Sequence, residues 1–574
     1  MGKTATNMHS KISSREEVKT PGTKSSLALL IFIVGAISLP FIFKAFHLDD
    51  TIFVWLGQEK LGHPLALGLP DHGYEGNFFS LYLDTHPPLH TSYLSLLIRV
   101  FGGTGEAGLH LGLIIFPILA AVSMFYLGKR FTDSPLTAAL LLIVTPGFMV
   151  MSQSVMTDVP ALSLWLAAVA SYIYAIDSDD KGRRLLVLAG VFTSLAILVT
   201  YQSFSLLPLL FAYALLKRRV TFRTMLPLAA ALAVFATIVI YYLVATGNPP
   251  KLSYSTGVNL APVFIANKVL SIVSVIGGAT VFPLILAAGM LKNKKDYLGF
   301  MAIFGLLLIF FLGKSLSGEY TFAAGILQAV FYSAGLLAIY RFFNTGADAV
   351  FTDERSEKDR DNIFLVLWIS GVLVYSVLLL PYASTRYLLP LFPPVVLMFV
   401  SYARDVFADK TLWSRFAIAA VVCTAITGTA VSIADYQLAG VYRTFASDYP
   451  AKLAEGDHRI WFAGEFGLRY YLEAAGGSYL TRQDDSPAPG DYVILSHGLI
   501  AYFISDDLKN RLRLDQSIDY PAGAGWPIRV QDRDSQAGFY DQFHGSLPYS
   551  VSSEPVETID IYRVKDPSEV RSQE

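Results

Sequence analysis

A single cysteine, Cys423, stands in an apolar run, so one chain has neither a disulfide framework nor a cysteine-based zinc site. Charge is sparse as well: 16% of the residues are Asp, Glu, Lys or Arg, and the formal net charge is −2. No Lys/Arg block with interleaved aromatics occurs, which removes nucleic acid from the expected partners. There is no GxSxG for nucleophilic serine chemistry, and the "GEFG" stretch lacks the spacing of a dinucleotide or phosphate-binding loop. Internal repeats and low-complexity tracts are missing too.

Apolar residues are abundant: 53% of the 574 residues are hydrophobic and the mean hydropathy is +0.48. A soluble fold cannot hide that much apolar surface, so the composition predicts a polytopic α-helical membrane protein. A bilayer core about 30 Å thick needs roughly 20 apolar residues per helix, fewer where helices kink. Thirteen runs qualify, near 26–46, 108–128, 134–152, 160–176, 185–200, 204–216, 225–246, 264–290, 297–313, 322–340, 362–381, 387–403 and 416–435. The first follows a basic leader, 1–25, but is long and has no small-x-small cleavage site, so it reads as a retained anchor.

Lys and Arg are retained on the cytoplasmic side of a membrane, and here about 24 fall in one set of loops against about 7 in the other. That bias puts the N-terminus inside and, with an odd number of spans, the C-terminus outside. The reading that follows is a cytoplasmic leader (1–25), a transmembrane domain (26–435) and an extracytoplasmic soluble domain (436–574), in a plasma membrane. Two outer segments exceed simple connections. The first, 44–107, ends in "PPLHTSYLSLLIRVFG", an amphipathic piece suited to the membrane surface. In the second, 436–574, "HRIWFAG", "DYVILSH" and "ETIDIYRV" read as strands, whereas "FGLRYYLEAAGG" and "LIAYFISDDLKNRLRL" read as helices, which predicts a small α/β domain.

Ionisable groups near membrane depth are costly unless paired or wet, so those at outer span ends are candidates for function. Four positions share that face: the Asp49–Asp50 pair, Asp84 with His86 in "DTHPPLH", Asp158 in "MTDVP", and Arg386 in "STRYLLPLFPP". Each also has a plain reading. A carboxylate beyond a helix end is often merely solvated, Asp158 suits a helix N-cap before Pro160, and Arg386 suits an interfacial anchor. Six of the ten histidines lie between residues 47 and 110, and His86 and His90 have i,i+4 spacing. With Asp49 or Asp84 they form an alternative divalent-metal site, although neither a Cys cluster nor an HExxH signature supports it.

In order, the acidic pair after the first span, "HPPL" in a long outer loop, "TDVPALSLWLAAVASYIYA" and "RYLLPLFP" resemble the lipid-phosphosugar-dependent glycosyltransferases of C-type membrane fold. Protein O-mannosyltransferases and the lipid A aminoarabinose transferase are the members most similar. The resemblance covers roughly 26–435 and implies about thirteen spans with an outer C-terminal domain. It implies sugar transfer from a polyprenyl-phosphate carrier to a protein, lipid or polysaccharide acceptor, with inversion and with no certain cofactor. It further implies that Asp49 is the general base, with Asp50 as its rival, that Asp158 orients a substrate, and that Arg386 binds the donor phosphate. His86 stands where some relatives have a lysine before the paired prolines and would donate to the phosphate, Tyr201 in "LVTYQSF" stands where relatives often have a lysine after the threonine, and Tyr201 and Asp84 join Asp158 as substrate-orienting residues. Two rival classes remain at the level of sequence: a secondary transporter, which would place charges at the midplane, and a polymerase or ligase of polyprenyl-linked sugars.

Overall fold

The computed structural model describes residues 22–69, 72, 81–82, 86–178, 182–250, 259–278, 294–352, 354–407, 409–450, 458–481, 487–498 and 504–566. Among these, ten helices are long and apolar enough to cross a membrane, and the chain is a multi-pass membrane protein. Three of the thirteen expected spans are shorter apolar helices, Pro135–Val144, Tyr201–Leu216 and Pro262–Gly278. The first of these is short for a local reason. Pro146 forces the residue before it out of the helical region, and Thr145 is extended (φ −60°, ψ 139°), which splits 134–152 into Pro135–Val144 and Pro146–Met151. Residues 279–293, which include the end of the expected 264–290 span, lie outside the described residues.

The helix Asp158–Asp177 is the centre of the bundle. Its sequence is apolar on every face, which in a bundle means burial on every face, and sixteen of its twenty residues are buried. It packs against Gly182–Val199 on one side and Ile115–Phe131 on another, and Trp165 stacks on Trp368 with ring centroids 6.5 Å apart. Elsewhere glycines permit backbone contact. A Cβ on Gly335 would stand 2.0 Å from the Val273 carbonyl oxygen, so Pro262–Gly278 and Phe322–Phe351 approach more closely than any side chain would allow.

The last long helix, Lys410–Asp448, runs past the expected span end at 435 and carries the chain to a five-stranded sheet. The spatial order is Ser478–Tyr479, Ile460–Ala463, Tyr492–Ser496, Glu557–Val564, Leu512–Tyr520. The first three strands are parallel and the last two join antiparallel. Helix Phe466–Ala474 ends where Gly476 takes φ +88° and Gly477 N–H reaches back 2.8 Å to the Leu472 carbonyl.

One expected element is different. "LIAYFISDDLKNRLRL" reads as one helix, but the helix is only Asp506–Arg511, capped by Ser505, and Leu512 begins a nine-residue edge strand. Pairing with Glu557–Val564 outweighs the helical preference of the "RLRL" end. Residues 499–503 of that stretch lie outside the described residues. The region beyond residue 436 also contributes to two cores. Ile460, Phe462, Ile494, Ile559 and Ile561 pack with Phe445 around the sheet, whereas Val530, Phe539, Tyr540, Leu547 and Tyr549 belong to the core of the membrane bundle.

A candidate active site at the membrane rim

After Thr23–Ser38 and a 3₁₀ turn at Leu39–Phe41, the chain passes through Leu48 and starts the helix Asp50–Gly62. Leu48 has φ +50°, a left-handed conformation that is strained for a branched side chain. The adjacent acids then take different environments. Asp50 is fully buried: its Oδ1 accepts from Ser154 Oγ (2.9 Å) and Val155 N–H (2.7 Å), and its Oδ2 from His47 N–H (3.5 Å). It ties the loop after the first long helix to the turn before Asp158. Asp49 keeps 28% of its side chain exposed, and its Oδ2 pairs with Arg386 Nη1 at 2.6 Å.

Arg386 opens the 3₁₀ helix Arg386–Leu391, with its side chain only 10% exposed. Its Nη2 donates to Tyr387 Oη (3.0 Å) and more weakly to Tyr382 Oη (3.5 Å), and the guanidinium lies 4.8 Å from the Tyr387 ring centre. Its Nε–H is buried with no hydrogen-bond partner among the described residues, which leaves a donor in reserve. Asp158, the first residue of Asp158–Asp177 with Thr157 at the cap, lies in the field of Arg386, Asp49 and Asp50. His86 lies in the field of Asp49, Arg386 and His90, with its ring edge-on to Phe53 at 5.2 Å. Four charged or polar positions separated by up to 337 residues thus meet at one end of the bundle. Tyr201 opens a separate 3₁₀ turn and packs edge-on against Phe235, and Asp84 lies outside the described residues.

Among the described residues no group of three His, Cys, Asp or Glu side chains is placed to hold an ion, and the version of the alternative metal site that uses Asp84 lies outside them. His90 Nε2–H donates to the Val155 carbonyl at 2.6 Å, and both His86 and His90 point edges at Phe53. Their environment keeps them neutral. Burial holds His90 at about 4, and burial, with smaller opposing effects of Asp49 and Arg386, holds His86 at about 4. Between the ordinary value of 6.5 and about 4, an unfolded chain binds protons that these folded imidazoles refuse. Stability therefore rises with pH across that window and is lost as pH falls through it, by up to roughly 3 kcal/mol for His90. A melting midpoint that drops between pH 7 and pH 4.5, with a smaller drop in His90→Gln, is the expected outcome. Glutamine keeps a donor for the Val155 carbonyl without the titration.

Behind the rim lies a polar group that the sequence reading did not single out. Lys44 and Asp435, both fully buried, form an ion pair; Asp435 Oδ1 also accepts from Tyr540 Oη (2.6 Å) and lies 3.5 Å from His47 Nε2. The sequence signal was present, because each charge falls inside or at the end of an apolar run. Its partner, 391 positions away, was not readable. Lys44→Met takes the paired cation from a buried carboxylate and is expected to destabilise the fold by about 3–5 kcal/mol. Lys44→Met with Asp435→Leu is expected to recover part of that loss, as thermal unfolding in detergent would show.

The architecture defines a class, a multi-pass membrane protein with a group of charged residues at a bundle end. Residues 85–243 match the family described as dolichyl-phosphate-mannose-protein mannosyltransferase. Among solved structures, the archaeal oligosaccharyltransferase AglB from Archaeoglobus fulgidus, in complex with an inhibitory peptide and a dolichol-phosphate, is similar with a TM-score of 0.50. Its identity is 11%, over 94% of this chain and 88% of that one. A second structure of the Archaeoglobus fulgidus oligosaccharyltransferase, with Zn and sulfate, gives 0.49, 14% identity, and 82% and 68% coverage. ArnT from Cupriavidus metallidurans bound to undecaprenyl phosphate gives 0.40, 13%, and 83% and 94%. No curated protein matches. The chain thus shares its fold with AglB, and the match to the mannosyltransferase family covers residues 85–243.

Proposed function

We propose that the chain transfers a sugar from a polyprenyl-phosphate carrier to an acceptor at the extracytoplasmic face, with inversion at the anomeric carbon. The observation that carries this reading is the Asp49–Arg386 pair at the bundle end, a partly exposed carboxylate held 2.6 Å from a guanidinium. Transfer of a phosphate-linked sugar needs these two groups. A cation placed beside the phosphate stabilises the negative charge that grows on the leaving group, and a carboxylate takes the proton of the incoming acceptor.

Before substrate binds, the two groups neutralise each other. An arriving phosphate competes for the guanidinium, with Nε–H as an additional donor, and the Asp49 carboxylate is released toward the acceptor. The acceptor O–H or N–H then gives its proton to Asp49 while its heavy atom attacks the anomeric carbon. The bond from that carbon to the phosphate oxygen breaks, and polyprenyl phosphate leaves with the electron pair. Attack opposite the leaving group inverts the centre. Asp158, in the field of both groups, orients the sugar or the acceptor. His86 is neutral at pH 7, so it contributes to phosphate binding as a hydrogen-bond donor rather than as a cation. Asp50 is the positioning member of the acidic pair, because its oxygens are taken by the Ser154–Val155 turn and His47.

The outer face is supported by the excess of Lys and Arg in the opposite loops. A lipid-linked donor agrees with the ligands of the similar structures, undecaprenyl phosphate in one and dolichol-phosphate with a peptide in another. The acceptor is a protein, lipid or polysaccharide that reaches the site from water. The test is transfer of radiolabelled sugar from a panel of polyprenyl-phosphate donors in proteoliposomes supplied with envelope acceptor fractions. Transfer from one donor supports the reading and names the sugar. Absence of transfer from every donor, by folded protein, overturns it.

A further inference from the structure

The segment between strands Leu512–Tyr520 and Glu557–Val564 departs from the sheet and packs into the membrane bundle, where Phe539 and Tyr540 are buried in the bundle core. We infer that the turn Phe539–Gln542 positions both members of the Asp49–Arg386 pair; the inference rests on the activity proposed above.

Toward Arg386 the turn makes backbone contacts. Thr385 N–H donates to the Phe539 carbonyl (2.9 Å), as does Ser384 Oγ (3.3 Å), and Ala383 N–H donates to Gln542 Oε1 (2.9 Å). These bonds fix the three residues that lead into Arg386. Toward Asp49 the contact is Tyr540, whose hydroxyl donates to Asp435 and stands 3.3 Å from His47 Nε2, with the two rings edge-to-face at 5.3 Å. His47 in turn precedes Leu48, the strained residue, and Asp49 follows it. Strain of this kind, on the order of 1–3 kcal/mol, persists only where the surroundings over-determine the backbone. Here His47 is held from one side by Tyr540 and Asp435, and Asp50 from the other by Ser154 and Val155.

The turn itself is preorganised. Its neck closes where Gly538 and Gly545 cross so tightly that a Cβ on Gly538 would lie 2.2 Å from the Gly545 carbonyl oxygen. Gly538 N–H bonds the Leu547 carbonyl (2.7 Å), and Phe539 N–H bonds the Val530 carbonyl (2.9 Å). Within the turn, Asp541 Oδ1 accepts from the amides of Phe543 (2.8 Å) and His544 (3.1 Å). A rigid element touching both catalytic loops holds their separation, and a displacement near 1 Å is enough to slow chemistry.

Hydrogen exchange of the full chain in nanodiscs, paired with transfer kinetics, tests this. Tyr540→Phe is expected to speed exchange in residues 44–51, and Gln542→Ala in residues 381–387, by about five- to ten-fold, the loss of one hydrogen bond. Exchange in the strand Tyr492–Ser496 should stay unchanged. Both variants should lower kcat by about ten-fold with the donor KM nearly unchanged, the split that separates positioning from binding. Unchanged exchange at both loops overturns the inference, and so does faster exchange with native kcat, which makes the turn structural only. A native chain without any transfer overturns the proposed activity, and the exchange data then decide alone whether the turn holds both loops.

Discussion

Asp49→Asn is expected to lower turnover by about 10²–10⁴-fold, the contribution of a positioned general base. Donor KM should stay level or fall, because the asparagine no longer competes as an anion for the Arg386 guanidinium, which is paired with Asp49 in the free chain. The neighbouring Asp50→Asn separates the two acids. Asp50 accepts three hydrogen bonds in full burial, one from the His47 amide, and an asparagine must turn its NH₂ toward one of those donors. The cost falls on stability, about 1–3 kcal/mol for a buried donor left unmatched. Kinetics alone would show two weak variants; melting midpoints measured alongside distinguish them. A folded, native-like Asp50→Asn without turnover, beside an active Asp49→Asn, would reverse the two roles.

How far the sequence carries toward this site depends on the length scale of each interaction. The apolar runs are local, so every expected span contains an apolar helix, and the short stretches "DYVILSH" and "ETIDIYRV" place two strands of the sheet correctly. Where local preference and tertiary pairing conflict, the sequence misleads: "RLRL" looks helical and leads into an edge strand, because partners 48 to 52 positions on supply the ladder. The rim charges were legible as individual oddities, since Asp49, Asp50, Asp158 and Arg386 each sit at a span end. Their division of labour was not legible. Asp49 and Asp50 are chemically identical neighbours, and only the fold reveals that one faces Arg386 and the other Ser154. The same holds for Lys44, Asp435 and Tyr540, whose buried contact joins three segments with nothing in common but geometry.

Arg386→Ala is expected to lower kcat by about 10²–10³-fold, the loss of a preorganised donor at a site of developing charge, and to raise the donor KM as well. Arg386→Lys keeps the charge and is expected to recover only a small part. The guanidinium fork reaches Asp49 with one arm and Tyr387 and Tyr382 with the other while lying over the Tyr387 ring, and an ammonium cannot hold these contacts together. Asp49→Asn/Arg386→Ala then reports on how the pair works. If the two acted independently, the losses would multiply; if phosphate capture by Arg386 is what frees Asp49, either change alone removes the coupled step, and the double variant should be little worse than the weaker single one. Added polyprenyl phosphate provides the complementary measurement. It should inhibit the native chain by occupying the guanidinium and should inhibit Arg386→Ala far less, which would tie the residue to the phosphate rather than to the sugar or the acceptor.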